Sequence, residues 1–292
     1  MSQRIIHLSY NNKELVLELI PLDNLRPHEM IIKDLEEKLT KSIMTSGILK
    51  DPITADPRLG MIIDGTHRWK ALINLGANYI PTVPLRYDSE DIKLHRWIRI
   101  YRDVSRDECK KIVETIVEHN LRIDKRDPSA DLELEHEEAI LLLYKLDDKW
   151  VRYSYIDKLP ILELLDYLNR IEENIFNVLH RGPDYVDEDN VGRVAKGLEN
   201  TLILSYRKIM KEEVVDIFKK NLYLPPKTTR HVIPYRIIDV NLPIDYLRSE
   251  RGIEEALKFL DNLKIEYLGN KIYVGERYYE EDVYRAVHKD KD

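Results

Sequence analysis

An apolar triplet, Met61-Ile62-Ile63, runs straight into Asp64-Gly65-Thr66-His67-Arg68, and an apolar-periodic stretch over residues 68–75 begins where that pentapeptide ends. A short apolar run bounded by a turn reads as a buried strand, and apolar residues three and four apart read as a helix. A strand that feeds a helix through one glycine turn restricts the fold to a strand–helix layer. The same junction exposes main-chain N–H groups and the positive end of the helix dipole, which suits an anion, phosphate above all. Gly65 permits close approach to the main chain. Arg68 offers a two-pronged donor, Thr66 and His67 add donors, and Asp64 suits Mg²⁺ or a hydroxyl to be oriented. The local alternative is that Asp64 or Thr66 caps the helix and Arg68 is a surface charge.

The same alternation surrounds the junction. Residues 15–20 read as a strand, 21–25 as a turn, and Arg26-Pro27-His28-Glu29 as a connecting loop. Residues 34–46 read as a helix, with Leu35, Leu39 and Ile43 on one face and Gly47 where a C-terminal glycine ends it. Residues 53–55 and 61–63 read as short strands around a turn at 56–60. Gly76 closes the second helix, and 81–85 is a further strand. Residues 15–87 thus read as one α+β unit.

The middle reads differently. Residues 105–121 and 159–181 are charged and helix-patterned. Ile112, Ile116, His119 and Asn120 trace one amphipathic face, and Leu162, Leu165, Leu168 and Ile171 the other. The acidic run 131–138 reads as a solvated helix face or loop. Residues 184–189 are acidic but lack EF-hand spacing and read as a solvated linker. A helix over 212–222 is broken by Pro225-Pro226. The C-terminal stretch reads helix (254–263), strand, Gly269-Asn270 turn, strand (271–274), helix (280–288).

Two further segments carry chemistry. Glu29 sits on a Pro-stiffened loop before the apolar pair Ile31-Ile32, and a partly desolvated carboxylate suits a general base. Its alternative is a surface glutamate at a helix entry. Lys227-Thr228-Thr229-Arg230-His231, between Pro225-Pro226 and Pro234, packs donors for a phosphate or carboxylate, or forms an exposed basic loop. Neither a Walker A loop nor the protein-kinase motif set occurs.

Composition bounds the rest. A chain of 292 residues suggests two domains at about 150 residues each. Hydrophobic residues make up 43%, enough for a sizeable core. Charged residues make up 34%, above the usual value of about 25%, and with a single cysteine this suits a heat-adapted protein with surface ion pairs. A net charge of −7 and a pI of 5.8 disfavour nucleic acid as partner. Cys109 has no disulfide partner in the chain and reads as a small core filler. No signal-peptide pattern and no run of about 18 apolar residues occurs, so a soluble, cytoplasmic protein is expected.

With these segments in place, the chain resembles the ParB/sulfiredoxin-like superfamily, on Asp64-Gly65-Thr66-His67-Arg68-Trp69 followed by Ala71-Leu72 and Leu75-Gly76-Ala77. More narrowly it is similar to the archaeal free L-serine kinases. Pro27-His28-Glu29, the Asp64 motif and Pro226-Lys227-Thr228-Thr229-Arg230-His231-Val232 occur in that order, and Trp97 follows the strand at 85. The resemblance spans 15–101 and 222–247, fades across 105–210, and leaves 248–292 as an extension.

It implies an α+β fold, with a ParB/sulfiredoxin-like nucleotide-binding domain over 1–101 and a mainly helical second domain over 102–247 that contributes the loop 227–231; the residue pattern adds a small C-terminal αββα module over 248–292. It implies phosphoryl transfer from ATP or ADP, with Mg²⁺, to the hydroxyl of free L-serine, giving O-phospho-L-serine for serine and cysteine metabolism. Glu29 is then the general base, and Asp64 places the hydroxyl or the metal. Gly65, Thr66, His67 and Arg68 cradle the donor phosphates. Arg230 and His231, with Thr228 and Thr229, bind the amino-acid carboxylate or the moving phosphoryl group, and Trp97 lines the serine pocket.

One position departs from that family: a histidine is usual where Thr66 stands. Thr66 carries no charge, which bears on the donor, and ATP is the donor expected. A ParB-like nucleotide-dependent DNA-binding protein is the alternative. It would need a basic recognition helix, for which Arg106, Lys110 and Lys111 are the available residues. A sulfiredoxin-like reductase would need a cysteine near the phosphate motif, and Cys109 lies outside it. A nuclease would need a carboxylate cluster for two metals. The oligomeric state is not legible in the sequence.

Overall fold

The computed structural model describes residues 4–118, 140–146, 149–155, 159–188, 190–195, 198–275 and 277–289. The acidic run 131–138, His119, Asn120 and Asp189 lie outside the described residues. The chain is mixed α+β, and the described helices are α1 (Lys33–Ser46), α2 (Thr66–Asn74), α3 (Arg106–Glu118), α4 (Ile161–Leu179), α5 (Val191–Ala195), α6 (Lys211–Lys219) and α7 (Glu250–Asp261). Two compact units are present. The first comprises residues 1–93, 215–226 and 231–292, and the second residues 94–214 and 227–230.

The first unit is built on a six-stranded sheet. Its order is Ile5–Tyr10, Lys13–Pro21, Tyr79–Pro84, Ile53–Asp56, Met61–Asp64 and Arg26–Pro27. The 53–56 and 61–64 strands form an antiparallel hairpin, as the turn at 56–60 predicts. Arg26–Pro27, expected as loop, pairs in parallel with Met61–Asp64, Arg26 opposite Met61 and Pro27 opposite Ile62. Gly47 ends α1 in the left-handed conformation, φ 68°, with its N–H on the Ile43 carbonyl at 2.8 Å. The buried stripe of α1 is turned from the expected one, because Leu35 is exposed and Glu36 is buried. Glu36 Oε1 accepts hydrogen bonds from Thr40 Oγ1 at 2.5 Å and Asn74 Nδ2 at 2.8 Å, so the buried carboxylate is satisfied against α2.

Residues 248–292 do not stand apart. Ile253, Ala256 and Leu260 of α7 are buried in one core with Leu15, Leu72 and Ile80. The helix expected over 280–288 is instead the strand Asp282–His288. It lies between Tyr235–Ile238, to which it is parallel, and Leu263–Gly269, to which it is antiparallel. Val283, Tyr284 and Val287 are residues that favour strands, and pairing on both edges decides the matter.

The second unit, expected to be mainly helical, contains an antiparallel sheet in the order Lys149–Tyr155, Ile140–Leu146, Thr201–Tyr206, Lys93–Tyr101 and Asp184–Asp187. Its inner strands are continuous apolar runs. Ile140, Leu141, Leu142, Leu143 and Tyr144 are all buried, as are Leu202, Ile203 and Leu204. Such runs show no periodicity that separates strand from helix. The 184–187 segment, expected as linker, is an edge strand in register with residues 97–100. Because Lys93–Tyr101 lies inside this sheet, the unit begins near residue 94 and not after 101. On α3, Cys109, Ile112 and Ile116 are buried. On α4 the buried face runs through Leu164, Leu165, Leu168, Ile171, Ile175 and Leu179, and Leu162 is exposed.

Candidate active site

The parallel pairing of Arg26–Pro27 with Met61–Ile62 sets the geometry of the first unit's chemistry. Two residues beyond the shared C-terminal end of that register stand Glu29 on one strand and Asp64 on the other. The main chain at Glu29 is held on both sides. Met30 N–H donates to the Leu224 carbonyl, and Leu224 N–H donates to the His28 carbonyl, each at 2.9 Å. The Glu29 side chain keeps 16% of its exposure, in keeping with the expected desolvation. His28 is buried, and its Nδ1 donates to the Ile62 carbonyl at 2.7 Å while Nε2 lies 3.9 Å from Glu29 Oε1. The ring of His231 meets that of His28 edge-on at 5.1 Å, and its Nε2 lies 3.0 Å from the Tyr87 hydroxyl.

Tyr87 is positioned in turn by Asp56. The fully buried Asp56 carboxylate accepts hydrogen bonds from Tyr87 N–H at 2.9 Å and from Arg58 N–H at 3.0 Å, and pairs with the Arg58 guanidinium at 2.7 Å. Burial opposes its ionisation, but the Arg58 side chain and the two N–H groups outweigh burial and hold the carboxyl below its usual range.

At the strand–helix junction, Gly65 adopts φ 102°. A Cβ there would lie 2.5 Å from Ile53 Cγ2 and 2.8 Å from Arg68 Nη2, so only glycine fits. Trp69 N–H makes the first helical bond, to the Gly65 carbonyl at 3.0 Å, and no side chain caps the helix. Neither Asp64 nor Thr66 acts as the cap, and the first turn of α2 directs main-chain N–H groups away from the helix end.

Asp64 is instead the centre of an ion-pair cluster. Its Oδ2 accepts from Arg68 Nη2 at 3.0 Å and from Arg236 Nη1 at 2.6 Å, and Arg236 Nε donates to Glu281 Oε1 at 2.7 Å. Burial opposes charge on Asp64, but Arg236, Arg68 and Arg277 overcome it and hold the carboxyl well below the usual range. Arg68 Nη1 also lies 3.9 Å from Asp51. His67 accepts the Ile32 N–H through Nε2 at 3.2 Å, which leaves Nδ1 as its donor atom. Thr66 is half-buried at the first position of α2.

The Asp64 oxygen is engaged by two guanidinium groups, and among the described residues no three His, Cys, Asp or Glu side chains are grouped as metal ligands.

The remaining expected residues belong to the second unit. Lys227 Nζ lies over the Trp97 ring at 5.1 Å and the Arg230 guanidinium at 5.9 Å. Thr228 and Thr229 are buried. Fully buried Arg99 donates through Nη1 to the carbonyls of Trp97 at 3.0 Å and Lys227 at 3.3 Å, and through Nε to Glu172 at 2.5 Å; the Tyr206 hydroxyl donates to the Thr228 carbonyl at 2.5 Å.

Sequence reasoning missed Arg236, Glu281, Asp51, Tyr87 and Arg99. Arg236 carried one available signal: it follows the recognised Pro226–Val232 motif by four residues.

No family model matches the chain. It is 29% identical over 240 residues to an ATP-dependent L-serine kinase of Staphylothermus marinus, covering 79% of this chain and 90% of that one. It is 28% identical over 232 residues to the ADP-dependent L-serine kinase SerK of Thermococcus kodakarensis, covering 78% and 91%. Among solved structures it is similar to a free serine kinase carrying a Glu-to-Gln substitution in complex with AMP. The TM-score is 0.62 and the identity 25%, covering 82% of this chain and 98% of that one. These similarities bear out the resemblance read from the three motifs.

Proposed function

We propose that this chain is a kinase that transfers a phosphoryl group from a nucleotide to the hydroxyl of free L-serine, giving O-phospho-L-serine. The observation that carries the reading is the parallel pairing of 26–27 with 61–62, which brings Glu29 and the uncapped start of α2 out at the same end of the sheet. An uncapped helix start with Arg68 beside it suits the donor phosphates. A carboxylate held by its main chain and shielded from solvent suits a base for the serine hydroxyl. Phosphoryl transfer needs positioning and charge neutralisation more than covalent help, and this set of residues supplies both. The similarity to L-serine kinases over most of the chain points to the same substrate.

Glu29 takes the hydroxyl proton, Asp64 orients the acceptor, and Gly65, Thr66, His67 and Arg68 hold the phosphates. Trp97, Thr228, Thr229, Arg230 and His231 bind the amino acid or the moving phosphoryl group. Mg²⁺ arrives bound to the nucleotide's own phosphates, a mode that needs few protein ligands. ATP is the proposed donor, on the uncharged Thr66. The test is incubation of the chain with L-serine, Mg²⁺ and either ATP or ADP, with O-phosphoserine as the readout. Product with ATP supports the whole reading, product with ADP alone overturns the donor, and no product with either overturns the function.

A further inference from the structure

The cluster at Asp64 contains Glu281, from the segment after Leu247 that the three motifs do not touch. Arg236 is almost fully buried and holds two carboxylates at once: Nη1 donates to Asp64 Oδ2 at 2.6 Å and Nε to Glu281 Oε1 at 2.7 Å. Glu281 is fixed as well. Its side chain keeps only 7% of its exposure, and its second oxygen accepts the Glu280 N–H at 3.0 Å. A guanidinium is a rigid planar fork. Anchoring Nε on Glu281 therefore sets the direction in which Nη1 reaches Asp64.

The charges also balance. Arg68, Arg236 and Arg277 oppose Asp64, Glu281 and Asp51, so a carboxylate can stand beside the start of α2 without repelling an incoming phosphate.

We propose that Glu281 is a positioning residue for the phosphate site, acting through Arg236 on Asp64, and that the C-terminal segment is thereby part of the catalytic apparatus. The proposal rests on the serine-kinase reading for its turnover readout, and on phosphate binding alone for its second readout.

The test is a double-mutant cycle on the full chain with Glu281→Gln, Asp64→Asn and the pair, measuring kcat for O-phosphoserine formation and ADP affinity by calorimetric titration. Glu281→Gln is expected to lower kcat about tenfold, the scale of a small misplacement at a reacting site, with a smaller change in the KM for nucleotide. In the Asp64→Asn background the same substitution is expected to add little to either readout, because residues in one network are non-additive. Arg236→Lys keeps the charge but loses the fork, and is expected to match Glu281→Gln. It carries the comparison should Glu281→Gln fail to fold.

A parental kcat and ADP affinity in the folded variant, or equal effects with and without Asp64, overturn the proposal. A parent that makes no O-phosphoserine with ATP or ADP overturns the serine reading separately, and the additivity of the ADP affinities then decides the role of Glu281.

Discussion

Two buried arginines, one in each unit, organise their neighbourhoods in opposite ways. Arg236 bonds two side-chain carboxylates, Asp64 and Glu281. Arg99 bonds one, Glu172, and spends its Nη1 on the carbonyls of Trp97 and Lys227 and on the Tyr206 hydroxyl. Burial disfavours the charge on both, and their partners hold both pKa values above the usual range. The first arrangement fixes charged side chains beside a helix start. The second fixes main chain, including the residue before Thr228. Loss of charge at the first therefore reads out in chemistry as well as stability, and loss of the second reads out in folding.

Four expectations sharpen or break that contrast. The largest is at Glu29, in the chemical region: Glu29→Gln should lower serine phosphorylation by about 10²–10⁴-fold. Calorimetry should still record ADP binding, and the melting temperature should hold. Near-normal turnover in this variant removes Glu29 from the mechanism. Next, in the scaffold region, Arg99→Ala should cost about 3 kcal/mol of stability, since it removes the buried partner of Glu172 and of two part-buried carbonyls. Urea unfolding checks this, and an unchanged midpoint would erase the contrast between the two arginines.

A smaller effect concerns acid. The folded-state pKa of Asp64 is depressed, so its ion pairs contribute stability above the unfolded carboxylate value of about 3.9. That contribution is lost as pH falls from there through the depressed folded value. Asp64→Asn should be less stable than the parent at neutral pH, and the two stability curves should converge at the acid end; parallel curves would deny the linkage. The smallest effect is at Cys109, where burial pushes the thiol up to about 12. Thiol reagents should label it slowly in the folded protein at pH 8, and Cys109→Ser should leave kcat unchanged. Lost activity in that variant would revive a cysteine-dependent reaction.

The strand–helix junction was legible because its signals are local. An apolar triplet, Gly65 and the closing Gly76 lie within one short stretch, and each constrains only its own backbone. Gly47 and the turn at 56–60 belong to the same class. The buried strands at 140–146 and 201–206 were not legible, since continuous apolar runs lack a period. Asp282–His288 was misread because its strand character comes from partners at 235–238 and 263–269. Arg236 was invisible for the same reason at longer range, being 172 residues from Asp64 and 45 from Glu281. The identity of Glu29 as a candidate was readable, but the clamp on its main chain was not, because Leu224 carries no polar signal in its side chain.

That clamp bears on which genetic changes the protein can absorb. Leu222 and Tyr223 are exposed, and as side chains they resemble the variable tip of a surface loop. Yet they set the spacing between α6 and the two main-chain bonds at residue 224. Removing either one moves the chain by about 3.3 Å and offers the wrong peptide unit to residues 28 and 30. Exchange of either side chain leaves those bonds in place. A library of variants across 222–223 should thus divide sharply, with substitutions surviving selection and single-residue indels lost, whereas an ordinary loop accepts both.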